Sequence, residues 1–565
     1  MTRSRALVGA MALVASAGTT TLLTGAAPAA ASAPATAVAW HACPQYSEAA
    51  LERMVPPELR TEFKALWART ECGKVSVPLD HRKPSGRHIT VAVTRLKARD
   101  QARRAGSLAL NPGGPGGSGY LMPVLYVLQR DNGNGEKLNE RYDLIGFDPR
   151  GVGYSSKVDC RDPGRQPPLR APITEAAARA AYDWQVKANR ACGEQDPAFL
   201  GQLTTANVAR DLDRVRGALG ERKLSYLGIS WGTWLGAQYR DLFPGRVQRM
   251  WLDSTALPDF RLDAFQAGRA TATAQNFGRE ADWIAARNGT YDFGTTRQQV
   301  QAAMARLKEE LTARPKTFTD LPEETFDGFL VSQIAGVPSL MWPEAAALLK
   351  ELRDARSGEP APPLIKKIFS RADGGGGEPP ADLPEDFNGT MNQAVFCNED
   401  TGPRDFDSFW AAFQKDRKRH PVTGDLSMPL NGCAGWPLPV QPVRLHHGNA
   451  PLVMSAHRHE VPSPYPWTRD MQDAVGGKVL TVNDDIHGST AGMASDCAPK
   501  IATYFATGRL DGTECEGVPV PTSPDPSTRT LAAPGSTTAD LARHLTKPRD
   551  VLPVDPSPLG WLDRG

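Results

Sequence analysis

The feature that most constrains this chain is the pentapeptide Gly228-Ile229-Ser230-Trp231-Gly232. It follows the strand-like run Leu224-Ser225-Tyr226-Leu227 and opens a helical pattern that runs from Trp231 to Phe243. A serine flanked by glycines between strand and helix sits on a tight, strained turn. The glycines avoid side-chain collisions while the hydroxyl is lifted clear of the sheet. The next amide, from Trp231, then points at a developing oxyanion. Ser230 is therefore the candidate nucleophile.

Around this turn, short apolar runs read as strands: Ser107 to Leu110, Tyr142 to Phe147, Leu224 to Gly228, Val247 to Leu252, Pro451 to Ser455 and Lys478 to Val482. Val75 to Arg95 reads as a β-hairpin split by Lys83-Pro84-Ser85-Gly86. Helical patterns between some strands, such as Asn207 to Leu219, imply a mainly parallel sheet covered on both faces. The alternation breaks after Asp253. Helical patterns then run at Leu262 to Asn288, Thr296 to Ala313, Glu344 to Arg356 and Phe406 to Arg419, with a glycine-rich run from Ala372 to Pro380. Residues 261–440 are expected to form a helical cap inserted between core segments 38–260 and 441–516. An independent second domain is the alternative, and the strands beyond the interval favour one interrupted sheet. Residues 517–565 read as a mobile Pro-rich tail.

Three further segments carry chemistry. Asn111-Pro112-Gly113-Gly114-Pro115-Gly116-Gly117-Ser118-Gly119 follows a strand and can turn the Gly114 amide toward the site as the second oxyanion donor. Its formal fit to a dinucleotide fingerprint is weak, because a proline interrupts it and no acidic residue ends a following strand at the expected distance. His487, in Asp485-Ile486-His487-Gly488-Ser489, lies on a loop after the last core strand. That is where the α/β-hydrolase fold places its base, in the order Ser…acid…His. The acid is read as Glu460, the only carboxylate between Ala456 and Tyr465, with Asp253 as the rival. His459-Glu460 lacks the second histidine of a zinc-protease helix, so no metal is expected. The Asp148-Pro149-Arg150-Gly151 loop reads as a structural turn with Asp148 and Arg150 buried as a pair.

The N-terminus sets the expected compartment. Arg3 and Arg5 precede an apolar run from Ala6 to about Leu23, and small-x-small sites end at Ala33 and Ala37. Residues 1–37 read as a secretory signal peptide. No later stretch is apolar enough to span a membrane, so no membrane anchor is expected. In an oxidising compartment the eight cysteines imply disulfides, and their positions suggest Cys43–Cys72, Cys160–Cys192, Cys397–Cys433 and Cys497–Cys515. A net charge of +2 gives no indication of a nucleic-acid partner.

With these residues assembled, the chain from about Trp40 to Cys515 resembles the secreted actinobacterial tripeptidyl aminopeptidases and related mycelium-associated proteinases. These are cap-bearing relatives of the prolyl aminopeptidases. The resemblance rests on Glu71-Cys72 with Val77-Pro78-Leu79-Asp80, on Gly113-Gly114-Pro115-Gly116 and on Asp148-Pro149-Arg150-Gly151. It continues through Ser230-Trp231-Gly232-Thr233, Cys397-Asn398-Glu399, Cys433, Trp436, Ser463-Pro464-Tyr465, His487-Gly488 and Cys497. Two departures stand out. Glu460 occupies the place where the family usually carries Asp ahead of Thr-Pro-Tyr, and Asn111-Pro112 precede Gly113 where prolyl aminopeptidases begin His-Gly-Gly.

The expected activity is acyl transfer without a cofactor, through Ser230, His487 and Glu460, with the amides of Trp231 and Gly114 holding the oxyanion. The resemblance implies an exopeptidase that releases short N-terminal peptides. A carboxylesterase with the same triad is the alternative, so the partner is a peptide or ester substrate. A secreted binding protein with a decayed site is the reading from another class. An exopeptidase that measures from the N-terminus needs an anion for the substrate ammonium. Glu399, or less favourably Asp400, is the candidate, against the plainer reading that both cap the helix near Phe406 or face solvent. The oligomeric state is not written in the sequence.

Overall fold

Strands β1 (Ala39–His41), β2 (Thr70–Pro78), β3 (His88–Leu96), β4 (Gly106–Asn111), β5 (Tyr142–Phe147), β6 (Leu224–Ile229) and β7 (Val247–Asp253) lead the chain into its sheet. A separate hairpin follows, β8 (Lys316–Phe318) and β9 (Leu321–Phe326). Then β10 (Val453–His457), β11 (Lys478–Val482) and β12 (Glu514–Cys515) complete the sheet. The order is β1-β2-β3-β5-β4-β6-β7-β10-β11-β12. Pairing is antiparallel from β1 to β5 and parallel from β5 to β12. This computed structural model describes residues 37–160, 164, 166–167, 169–370, 379–427, 432–523, 541 and 545. The leader read at 1–37 lies outside the described residues except for its last position. So do the glycine run, apart from Pro379 and Pro380, and most of the tail.

The central strands are apolar on both faces because helices cover both. Along β6, Leu224 and Tyr226 join one buried cluster, while Leu227 and Ile229 join the opposite one. The helices used below are α1 (Thr205–Ala218), α2 (Trp231–Leu242), α3 (Leu262–Ala285), α4 (Gly389–Glu399) and α5 (Tyr465–Val475). Strands β1 and β12 were not read from the sequence; at three and two residues they are too short for a period-two signal.

The segment between β7 and β10 is mainly helical and has its own core, built around Phe277, Ile284, Met304, Leu330, Trp342 and Leu349. Its hairpin β8–β9 was not expected. Helix α4, inside the span assigned to the cap, packs instead with the sheet: Met391, Ala394, Val395 and Phe396 share a cluster with Val152, Trp231 and Phe260. The helix is buried on nearly all sides, and its lack of one polar face hid it from a periodicity reading. The tail is also held in places. Trp283 Nε1 donates to the Pro521 carbonyl at 2.7 Å, and Leu541 and Leu545 are buried in the inserted core, so these points depart from the expected mobile tail. Four disulfides join Cys43–Cys72, Cys160–Cys192, Cys397–Cys433 and Cys497–Cys515.

The pairing of Asp148 with Arg150 does not occur. Asp148 directly follows β5 and faces the glycine-rich loop, where it accepts Ser118 Oγ (2.6 Å) and, from the chain beyond, Tyr154 N (2.8 Å); burial pushes its carboxyl up to about 7. Arg150, beyond Pro149, turns to α1. Its Nε and Nη2 donate to Asp211 (2.6 and 2.7 Å), and it also bonds the carbonyls of Leu79, Gln202 and Pro78 and, through Nη2, His81 Nε2 (3.2 Å). Burial raises the Asp211 carboxyl, but Arg150 and His81 override it and hold it below the usual carboxylate range. Arg150→Met should take the guanidinium from a buried carboxylate, leaving it only His81, and from three carbonyls. A loss of about 3–5 kcal/mol is expected in chemical denaturation, the range for breaking a buried ion pair from one side.

Candidate active site

Ser230 joins β6 to α2 with φ +58° and ψ −126°, a region that a side-chain-bearing residue enters only under constraint. Its amide is tied to the Asp253 carbonyl (3.1 Å). The glycines around it are required by contact. A Cβ on Gly228 would lie 2.4 Å from the Gly232 carbonyl oxygen, and one on Gly232 would lie 2.7 Å from Asn111 Oδ1. Both glycines thus let the turn close against itself and against the end of β4.

The glycine-rich loop touches the nucleophile directly. A Cβ on Gly113 would lie 2.8 Å from Ser230 Cβ and 3.2 Å from Trp231 N. Gly113 spends its own N–H on Asn111 Oδ1 (3.1 Å). The amides of Gly114 and Trp231, the two read as oxyanion donors, make no hydrogen bond among the described residues. The far side of the loop is clamped by Ser118 N to Asp386 O (2.9 Å), Asn388 N to Gly116 O (2.9 Å) and Asn392 Nδ2 to Pro115 O (2.8 Å).

His487 follows β11, and its neighbour Gly488 packs on Ile229, the residue before Ser230. His487 Nδ1 is in hydrogen-bond contact with Glu460 Oε1, while its Nε2 is buried and makes no hydrogen bond among the described residues. Glu460 is 1% exposed and doubly supported: Ser254 Oγ donates to Oε2 (2.9 Å) and Ser463 N to Oε1 (3.1 Å). Ser254 also accepts from Gly488 N (2.8 Å), so one hydroxyl ties the carboxylate to the histidine loop. Neither serine was singled out as a site residue from the sequence, although Ser463 stands in the Ser-Pro-Tyr motif.

Asp253, the rival acid, faces another histidine. Its Oδ1 meets His457 Nε2 (2.9 Å), its Oδ2 accepts Ala491 N (2.8 Å), and Asp484 Oδ1 meets His457 Nδ1 (2.7 Å). Both His457 nitrogens are thereby occupied at 0% exposure. Burial disfavours the imidazolium, yet attraction to Asp484 and Asp253 and their hydrogen bonds hold His457 well above its usual value of 6.5. The two carboxylates in the insertion are likewise buried. Glu399 accepts from Thr205 N and from Thr205 Oγ1 (2.9 Å), and Trp231 Nε1 bonds the same hydroxyl (3.1 Å). Asp400 Oδ1 accepts Leu262 N and Gly402 N (both 2.9 Å). The helix at Phe406 is capped by Asp405 through Ser408 N (2.8 Å), so neither Glu399 nor Asp400 caps it or faces solvent.

A family model described as alpha/beta hydrolase fold matches residues 107–329, which include the glycine loop and Ser230. A model described as TAP-like protein matches residues 421–529, which include Glu460 and His487. Tripeptidyl aminopeptidase of Streptomyces lividans is 31% identical over 470 residues, covering 80% of this chain and 84% of that protein. The chain belongs to the tripeptidyl aminopeptidase family of α/β hydrolases. Within reach of the same family lie serine protease Hip1 of Mycobacterium tuberculosis, 28% identical over 77% of this chain and 85% of that protein, and carboxylesterase B of the same organism, 27% identical over 79% and 86%.

The buried His457 cluster sets a pH dependence of stability. In the unfolded chain His457 titrates near its usual value of about 6.5, and in the fold it stays charged well above that. Its stabilisation is complete below about pH 6.5 and is lost as pH rises through the folded-state value, by up to about 1.4 kcal/mol per pH unit. Urea denaturation between about pH 7 and 9 should show this decline in the wild type, and His457→Gln should lack the histidine's part of it.

Proposed function

We propose that this α/β-hydrolase-fold serine hydrolase is a secreted exopeptidase that releases short peptides from free N-termini. The observation that carries the reading is the contact between Glu460 and His487 on loops beside the strained Ser230 turn. His487 Nε2 takes the Ser230 Oγ proton as Oγ attacks the scissile carbonyl carbon. The N–H groups of Trp231 and Gly114 hold the oxyanion; neither makes a hydrogen bond among the described residues. Glu460 fixes the Nδ1–H tautomer and stabilises the imidazolium. His487 returns the proton to the leaving amine, and water then releases the acyl group by the same steps reversed. No cofactor enters the cycle. The leader-like N-terminus and four disulfides support secretion.

Glu399 is the proposed anchor of the substrate ammonium. Burial pushes its carboxyl up to about 8, against the opposing bonds from Thr205, and no cationic side chain bonds it among the described residues. A buried carboxyl without a cation suits an arriving ammonium, which would restore its ionised form. Asp400 is the weaker candidate because a cation already stands beside it, with Arg404 Nε 3.8 Å from its Oδ2. The relative named carboxylesterase B favours a second reading, an esterase using the same three residues.

Ser230→Ala should lower turnover by several orders of magnitude with the fold intact, and a fluorophosphonate should label Ser230. Glu460→Gln should cost at least about a hundredfold in kcat, whereas Asp253→Asn should act mainly on stability. A reversal of those two outcomes would move the acid to Asp253. Acetylating the peptide N-terminus should strongly reduce kcat/KM. Glu399→Gln should reproduce much of that loss on free peptides and little of it on acetylated ones. Equal cleavage of free and acetylated peptides would instead support the esterase reading or an endopeptidase.

A further inference from the structure

The loop that carries His487 is gripped on both sides, by different parts of the chain. Downstream, the sheet holds it: Gly488 N donates to Ser254 Oγ (2.8 Å), Ser489 Oγ to Asp484 Oδ2 (2.6 Å) and Ala491 N to Asp253 Oδ2 (2.8 Å). Upstream, the insertion holds it through Asp485. This carboxylate, two residues before His487, is 2% exposed. It accepts Ser339 Oγ at Oδ1 (2.6 Å), and Ser339 N (2.9 Å) and Arg279 Nη1 (3.1 Å) at Oδ2. The neighbouring acids Asp484 and Asp485 thus face opposite ways, one into the sheet's His457 cluster and one into the insertion.

The donors to Asp485 are themselves fixed. Asn276 Nδ2 on α3 bonds the carbonyls of Gly336 (3.2 Å) and Val337 (3.0 Å), and Glu280 Oε2 accepts Gly336 N (2.6 Å). Trp342 Nε1 closes on the Val337 carbonyl (2.9 Å), and Arg279 Nη1 also reaches Asn276 Oδ1 (2.7 Å). Ser339 and Arg279 therefore move as one jaw with α3. A carboxylate bonded to three donors away from water makes charge-assisted contacts, each stronger than a neutral one, and leaving it unpaired is costly. The jaw consequently dictates where residue 485 sits, and the backbone from there to His487 is two residues long.

We infer that Asp485 is a positioning residue, through which the seating of the insertion on the sheet sets the placement of His487. The inference rests on the reading of His487 as the base. Catalytic groups must be held within roughly 0.5 Å of their productive geometry, and a misplacement of about 1 Å can cost around a hundredfold in rate.

The test uses the full chain with Ser339→Ala, Asp485→Asn and the double variant, each titrated to completion with a fluorophosphonate so that kcat refers to labelled sites. Ser339→Ala removes a hydroxyl that bonds neither Ser230, Glu460 nor His487. It should lower kcat per site by roughly tenfold, on peptide and ester alike, with KM changed by less than about twofold, the pattern of a displaced base. Asp485→Asn should do the same, and the double variant should be no worse than the poorer single, because both break one contact. If Asp485→Asn does not accumulate, Ser339→Ala carries the test alone. A lower melting temperature with wild-type kcat per titrated site would overturn the inference and leave the contact purely structural; so would fully multiplicative losses in the double variant. Failure of the wild type to react with the fluorophosphonate would instead overturn the serine–histidine reading itself.

Discussion

The parallel pairing of β7 with β10 is the constraint on which the site depends. Trp251, Leu252 and Asp253 stand beside Val453, Met454 and Ser455, residues separated in the chain by the whole insertion. Closing so long a loop has an entropic cost that grows only slowly with length, so the pairing tolerates the insertion once its ends are anchored. Ser455 Oγ bonds Asp253, Trp251 Nε1 bonds Ser455 Oγ (3.0 Å), and His457 sits between Asp253 and Asp484. This seam places the loops after β10 and β11 beside the turn after β6. Glu460 and His487 arrive there only because the sheet resumes where it was interrupted.

Two carboxylate–histidine arrangements therefore stand on the ends of neighbouring strands, and their environments divide their tasks. His457 is saturated by two aspartates and sealed from solvent, which locks it as a charged strut. His487 has one carboxylate on Nδ1 and, among the described residues, nothing bonded to Nε2. A base needs that free nitrogen, whereas a strut needs both nitrogens occupied. The same reasoning separates the glycine-loop amides: Gly113 N is bonded to Asn111 Oδ1, while Gly114 N makes no hydrogen bond among the described residues.

Much of the frame was legible in the primary structure. The strand–turn–helix around Ser230, the apolar strands and the histidine after the last long strand are local patterns with a fixed meaning for the backbone. Elements were missed where that local signal is absent. Helix α4 is buried nearly all round and shows no amphipathic stripe, and β1 and β12 are too short for alternation to register. The partner of Arg150 was misassigned because sequence proximity suggested Asp148, while a long side chain beyond a proline reached Asp211 on α1.

What the sequence determined by itself was the kind of molecule: an α/β sheet with a helical insertion, a serine on a strained turn, and a histidine in the right order behind it. These follow from residue types at short spacing. Tertiary structure alone decided which acid faces which histidine, since Asp253 and Glu460 both follow core strands and only packing aims their side chains. It also decided that Ser254, Ser339 and Asp485 brace the site, because Ser254 meets Glu460 across 206 residues and Ser339 meets Asp485 across 146. Long-range hydrogen bonds of this kind leave no periodicity in a chain; they exist only after the sheet has closed.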